Sequence, residues 1–213
     1  MNKDNKEISK ATLNRLPSYL KYLYQLDKLN VATVSSTTIA NGLNLNPVQV
    51  RKDIALVSSV AGKPKMGYVT NEIIADLESF LGYNNTHDAV LVGVGGLGKA
   101  FLGYGGFENY GLNIVAAFDT DPAIVGGEIS GIPIYHANRL AEICQGRDIA
   151  IAALTVPVSA AQAAADAAID AGIRGIWNFT PCRIRVHGGA VVQNTSMYSH
   201  LAVMYNRLQD PQQ

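Results

Sequence analysis

Four residues, Gly93, Gly95, Gly98 and Asp119, have the types and spacing needed to hold a dinucleotide. In Gly93-Val94-Gly95-Gly96-Leu97-Gly98 the first glycine permits a tight turn and the second lets the backbone approach a pyrophosphate. The third lets a helix pack closely on a strand. Glycine triplets also arise by chance, so the flanking sequence decides. Here the triplet follows the apolar run Ala89-Val-Leu-Val92 and opens a helical pattern that runs toward Tyr104. Asp119 stands 21 residues beyond Gly98, at the end of an expected strand Asn113–Phe118. Its carboxylate would accept both hydroxyls of an adenosine ribose there. A 2′-phosphate would be repelled by Asp119 and Asp121, and the nearest base expected is Arg139, so NADH/NAD+ is favoured over the phosphorylated cofactor. The plainer alternative is that the glycines only build a turn and Asp119 only caps Asp119-Thr-Asp-Pro122.

Two further loops, Leu154-Thr155-Val156-Pro157 and Asn178-Phe179-Thr180-Pro181, close later apolar strands at the edge where parallel sheets bind ligands. From the residues alone, each reads equally well as a ligand loop or as a proline turn. A second chemistry sits earlier in the chain. Gln49, Arg51 and Lys52 fall on a helix that could enter a DNA major groove, and Lys63 and Lys65 mark a basic tip that could reach phosphates or the minor groove. The alternative is a solvated helix face. No catalytic residue is expected: of the histidines at 87, 136, 187 and 200, His87 lies in the linker, His136 starts a helix and His187 sits in a Gly-Gly turn, and no substrate domain follows the nucleotide motif. Tyr24 and Lys28 have a dehydrogenase-like spacing, but they precede the nucleotide motif, and chance explains them.

Those residues need two scaffolds. Residues 1–71 hold ten Lys/Arg against four acids, a net +6, while the rest hold seven against thirteen, a net −6. A basic module meeting a polyanion and an acidic module are the expected pair. In the first, Leu13, Leu16, Leu20 and Leu23 stripe one helix face, which Pro17 should kink or restart. Ser35–Thr38 offer hydroxyl caps for a second helix; Asn46 caps a third, with Pro47 at its first position. There Val50, Ile54 and Val57 form the buried stripe, and Gln49, Arg51, Lys52 and Asp53 lie on other faces. A β-hairpin ending in Tyr68-Val-Thr70 completes a winged helix-turn-helix. The turn-rich Gly82–His87 segment marks the boundary.

Beyond it, strands are expected at Ala89–Val92, Asn113–Phe118, Ile132–Tyr135, Ile149–Leu154 and Gly175–Asn178, with late strands at Arg183–Val186 and Ala190–Gln193. Helices are expected over Ala137–Gln145 and Ser159–Ala171. Such alternation means an α/β, Rossmann-type doubly wound parallel sheet. The domains are thus 1–84 (winged helix), 85–195 (nucleotide fold) and 196–213, a last helix whose apolar stripe could pack on its own domain or cross to a second subunit. Cys144 and Cys182, without a second pair, argue against a disulfide scaffold and for a reducing cytoplasm. The polar start gives no signal peptide, and no apolar run approaches membrane-spanning length; neither a membrane nor a metal is expected as a partner.

Assembled, these residues resemble the redox-sensing transcriptional repressor (Rex) family, NAD(H)-responsive DNA-binding proteins. The resemblance runs from Ala11 to Leu208. It is carried by Arg15-Leu-Pro-Ser-Tyr-Leu20, Gln49-Val-Arg-Lys-Asp53, Gly93–Gly98 with Tyr104, and Phe118-Asp-Thr-Asp-Pro122. Leu154-Thr-Val-Pro157, Ala171-Gly-Ile-Arg-Gly-Ile176 and Asn178-Phe-Thr-Pro181 add to it. It implies a homodimer with C-terminal helices exchanged between subunits, bound to operator DNA when NADH is low and released when NADH rises relative to NAD+. It implies that the glycines and Asp119 hold the dinucleotide, that Tyr104 lies at the nicotinamide, and that both proline loops contribute. Two rivals remain: a small NAD-dependent oxidoreductase, and a DNA-binding paralogue without redox response. The second is motivated by departures from the family. Lys21 and Ser196-Met197 stand where the family usually has an Arg and an Asp followed by an aromatic, so that ion pair cannot form here. The segment Ser58–Gly67 also lacks the usual Phe-Gly and is one residue longer.

Overall fold

The computed structural model describes residues 8–59, 62 and 66–209. The chain divides into two compact units between Asn85 and Thr86. The first begins with helix α1 (Lys10–Lys28), whose Ser9 hydroxyl accepts from the Thr12 amide. Pro17 does not interrupt it, and α1 is a single 19-residue helix. Its buried face is Thr12, Leu16, Tyr19, Leu20 and Leu23, whereas Leu13 is exposed, one helical step from the face expected. Strand β1 (Thr33–Val34) leads into α2 (Ser36–Leu43), capped by Ser35 accepting from the Thr38 amide. Asn44 then takes a left-handed conformation, and Asn46 caps α3 (Pro47–Val57) by accepting from the amides of Val48 and Gln49.

Strand β2 (Tyr68–Val69) pairs antiparallel with β1, across α2 and α3, and the basic tip of the expected hairpin lies outside the described residues. Two expectations for this unit need correction. Thr70 is not strand but the first residue of an unanticipated helix, α4 (Thr70–Leu81). Its hydroxyl donates to the Val31 carbonyl, and Ile73, Ile74 and Leu77 enter the core beside α1. Asp53 is 1% exposed and lies against α1, not on a solvent face.

The second unit is a seven-stranded sheet. In chain order it comprises β3 (His87–Val92), α5 (Gly96–Leu102), β4 (Leu112–Asp119), β5 (Glu128–Ile129) and β6 (Ile132–His136). There follow α6 (Leu140–Cys144), β7 (Ile149–Leu154), α7 (Val158–Asp170), β8 (Gly175–Asn178), β9 (Val191–Asn194) and α8 (Met197–Gln209). The sheet order is β5-β6-β4-β3-β7-β8-β9, parallel throughout except for the short edge strand β5. Leaving β5 aside, this is the doubly wound order in which strand direction of growth reverses at β3, placing a crevice at the carboxyl ends of β3 and β7. The central strands are apolar on both faces because both are covered. Val90, Val92, Phe118 and Leu154 pack toward α6 and α7, and Leu91, Ala117, Ala153 and Trp177 pack toward α5.

Here too the structure differs in places. Arg183–Val186 forms no strand, since β9 already occupies the free edge of β8 with Gly175 opposite Val191. The expected helix at Ala137–Gln145 is a 3-10 turn, Ala137–Arg139, followed by the short α6. None of α8 is buried, and Met197, Leu201, Met204, Tyr205 and Leu208 all stand exposed.

Candidate dinucleotide cradle and DNA-reading helix

The crevice is built from three loop starts. Gly93, with φ at +98°, turns the chain at the end of β3; a Cβ there would lie 2.8 Å from the backbone of Thr155. That crowding reflects a clasp. The Thr155 hydroxyl donates to the Gly93 carbonyl at 2.5 Å, and the Thr155 amide donates to the Val92 carbonyl at 2.9 Å. Gly98, on the first turn of α5, would place a Cβ 2.1 Å from the Gly93 carbonyl oxygen, so helix and strand touch where a side chain cannot fit. Gly95 is the opposite case, exposed with nothing within 4 Å of its Cβ position. The three glycines thus divide into turn, approach and packing roles, as a dinucleotide motif requires.

Asp119 ends β4 with both carboxylate oxygens engaged. Oδ2 accepts from the Val94 amide at 2.5 Å, and Oδ1 from the amides of Thr120 and Asp121 at 2.7 and 2.9 Å. Burial alone would raise its pKa, but these three amides, with the Lys99 charge, outweigh burial and hold it below the usual carboxylate range. The capping role and the glycine-loop contact therefore coexist, and Oδ2 keeps a lone pair for a ribose hydroxyl. Lys99, not Arg139, is the base whose charge acts on Asp119.

A cavity of about 710 Å³ opens here, lined by Gly93, Gly95, Asp119, Thr155, Val156 and Pro157 among others. One wall was not foreseen. Ala160, Ala163, Ala164 and Ala167 of α7 face the cavity, while Ala161, Ala165 and Ala168 are buried in the core. The alanine run thus sets the cavity's width as well as favouring a helix.

Other expected cofactor residues lie elsewhere. Val94 is buried and reaches the site through its amide; Gly96 and Leu97 are exposed on α5. Asn178 is fully buried. Its Nδ2 donates to the Cys182 carbonyl and Asn194 Oδ1, and its Oδ1 accepts from the Thr180 amide and hydroxyl. Phe179 packs among Phe101 and Trp177, at centroid distances of 5.2 and 4.7 Å. Tyr104 is 55% exposed, edge-on to Phe107, and does not line the large cavity.

In the first unit, Gln49, Arg51 and Lys52 are exposed on α3, and Lys63 and Lys65 lie outside the described residues. Behind them is a cluster that sequence reading missed. Asp53 accepts from Arg15 Nε at 2.7 Å and Nη2 at 3.0 Å, from the Tyr19 hydroxyl at 2.7 Å, and from Gln49 Nε2 at 2.8 Å. Burial would raise Asp53, but these donors outweigh it and keep the carboxylate ionised below its ordinary range. Burial and the Asp53 hydrogen bond push Tyr19 up to about 12. The available signal was that Arg15, Tyr19 and Asp53 all fall within the two most distinctive segments of the first unit.

Among the described residues no group of His, Cys, Asp and Glu is placed to hold a metal ion, and no helix is long and apolar enough to cross a membrane. Two family models match, a CoA binding domain over residues 84–182 and a putative DNA-binding protein N-terminus over residues 7–55. The redox-sensing transcriptional repressor Rex of Porphyromonas gingivalis is 48% identical over 95% of this chain and 92% of its own. The protein of the same name from Bacteroides thetaiotaomicron is 45% identical over 96% and 93%. Among solved structures, RSP in complex with β-NAD+ and operator DNA matches with a TM-score of 0.90 and 29% identity, covering 97% of this chain and 95% of that one. RSP with β-NADH matches with a TM-score of 0.86 and 28% identity, covering 97% of each chain. Likeness at this level over more than nine-tenths of both chains shows that this protein belongs to the redox-sensing transcriptional repressor Rex family.

Proposed function

We propose that this chain binds operator DNA as a homodimer, senses NADH against NAD+, and leaves the DNA when NADH rises. The observation that carries the reading is the pairing, in one chain, of an exposed Gln49-Arg51-Lys52 helix face with a glycine cradle closed by Asp119. RSP is described with β-NAD+, with β-NADH and with operator DNA, which supports assigning both ligands here. The nucleotide would lie along the cavity, its ribose on Asp119, its pyrophosphate over Gly95 and its adenine against the alanine face of α7. When bound, the nicotinamide supplies a charge that differs between its two redox states. The chain's residues hold and orient it; the reading assigns them no reaction, and it places the protein in the cytoplasm.

The homodimer is supported by α8. Thirteen residues with five exposed apolar side chains on one stripe need a covering surface, and exchange of α8 between subunits provides one. Coupling between nucleotide and DNA sites typically amounts to about 1–3 kcal/mol, a 5- to 150-fold change in affinity. The test is a mobility-shift titration on duplexes that the chain itself selects from a random pool, with NADH, NAD+ or neither. Weaker binding with NADH alone is the expected result. Equal binding in all three would remove the sensing role and leave the DNA-binding paralogue that Lys21 and Ser196 suggest. Turnover of NADH with a panel of carbonyl compounds would identify the oxidoreductase instead.

A further inference from the structure

We propose that Asp53 is a positioning residue for operator reading, which holds the Gln49 amide so that Gln49 presents its carbonyl oxygen and second N–H to an adenine in the major groove. The inference rests on α3 being the helix that enters DNA. Gln49 and Asp53 are one helical turn apart, the first exposed and the second 1% exposed. An ionised carboxylate only accepts hydrogen bonds, so the face of the amide turned to it must be the NH2 group. The 2.8 Å contact from Gln49 Nε2 to Asp53 Oδ1 therefore fixes which end of the amide points inward. A glutamine without such a neighbour can flip and present either end.

Asp53 is itself unable to turn. Arg15 grips both its oxygens, and the fully buried Tyr19 holds Oδ2. Thr12 completes the cage, its hydroxyl 3.3 Å from Oδ1. The chain thus devotes three side chains from α1 to a carboxylate whose fourth partner is a DNA-facing amide. What Gln49 has left is one acceptor and one donor side by side. Adenine offers the complement, the N6 amino group and N7, whereas guanine offers two acceptors and sets one against the amide oxygen.

The test enriches bound duplexes from a randomised pool with the full chain, then measures affinities for the winners and their single-base variants. The wild type should require adenine at one position of each half-site, with about 5- to 150-fold discrimination against the other bases. Gln49→Ala should lose that preference alone. Gln49→Glu, an acceptor-only side chain at a surface position, should shift it to cytosine, whose N4 amino group donates. Asp53→Asn, which lets the Gln49 amide face it either way round, should relax the same position while the chain still melts cooperatively. If Gln49→Ala keeps every base preference, or Gln49→Glu still requires adenine, the proposal fails. It fails equally if a folded Asp53→Asn weakens all duplexes alike, for the residue would then only brace the fold. A wild-type chain that enriches no duplex removes the DNA-binding reading as well, whereas an enriched site indifferent to Gln49 removes this inference alone.

Discussion

Gly95 and Gly98 lie three residues apart, yet the structure predicts opposite consequences for an added methyl group. At Gly98 the new Cβ would sit 2.1 Å from the Gly93 carbonyl oxygen, a backbone atom that Thr155 also clasps. Ordinary contact needs more than an ångström of further separation, so α5 must lift from β3. Overpacking of this kind costs about 1–3 kcal/mol, and the upper end applies because neither partner is a flexible side chain. Alanine's better helix propensity returns up to about 1 kcal/mol. A net loss of about 2 kcal/mol in a unit of this size should lower the melting temperature by roughly 6–10 °C. At Gly95 nothing lies within 4 Å of the Cβ position, and alanine in place of a glycine cap costs about 1 kcal/mol or less. The methyl there would instead stand where the pyrophosphate must approach. Gly95→Ala should melt within about 4 °C of wild type and lose most NADH affinity, by roughly tenfold or more. Circular-dichroism melts with and without NADH, beside fluorescence titration of NADH, separate the two variants. Wild-type melting of Gly98→Ala, or wild-type NADH affinity of Gly95→Ala, would refute the division of roles.

Three other outcomes are expected. Asp119→Asn keeps a capping oxygen but loses the charge; NADH should bind about 10- to 100-fold more weakly and the gap between NADH and NADPH should narrow, as titration of both cofactors would show. Arg51→Ala should cost about 1–3 kcal/mol on the selected duplex and relax preference at one position, whereas Lys52→Ala should weaken all duplexes evenly and lower the salt slope by about one. Competition titrations at several salt concentrations distinguish them. Asp53→Asn should cost about 2–3 kcal/mol at neutral pH, below the full cost of breaking a buried pair because Arg15 is 26% exposed. Because the folded pKa of Asp53 is depressed from 3.8, its contribution is in place above about pH 4 and is lost as pH falls through the lower folded value. The melting gap between wild type and Asp53→Asn should close in acid; a gap unchanged down to about pH 2 would remove Asp53 as its source.

Legibility from the sequence followed the range over which each feature finds its partners. The caps Ser35 and Asn46 accept from amides two or three residues on, and both were readable from residue type alone. The strand Ile149–Leu154 was readable because two covered faces leave an unbroken apolar run. Arg183–Val186 carries the same alternation as a strand but has no edge to join, because β9 takes β8's. Periodicity reports which face a segment could bury, and pairing is settled elsewhere in the chain. β2 shows the same limit, with its partner β1 separated from it by two helices.

The site divides along the same line. Gly93, Gly95, Gly98 and Asp119 act through backbone conformation and nearby amides, so their spacing exposed them. The alanine wall of the cavity did not show itself, since what α7 contributes there is the absence of side-chain bulk facing a loop from β3. Asp53 was the harder case. A charged residue between Lys52 and Ile54 on an amphipathic helix belongs by default in solvent, because an unpaired carboxylate costs several kcal/mol to bury. What reverses the default is Arg15 and Tyr19, thirty-eight and thirty-four positions earlier, which supply three of its hydrogen bonds. Those two residues and Asp53 are intelligible only together: without the carboxylate, Arg15 has no bidentate acceptor and the Tyr19 hydroxyl is buried with nothing to receive its proton. A cluster so dependent on each member, placed directly behind an exposed glutamine, is better explained by the need to aim that glutamine than by stability alone, since apolar packing of the same volume would hold α1 to α3 at no desolvation cost.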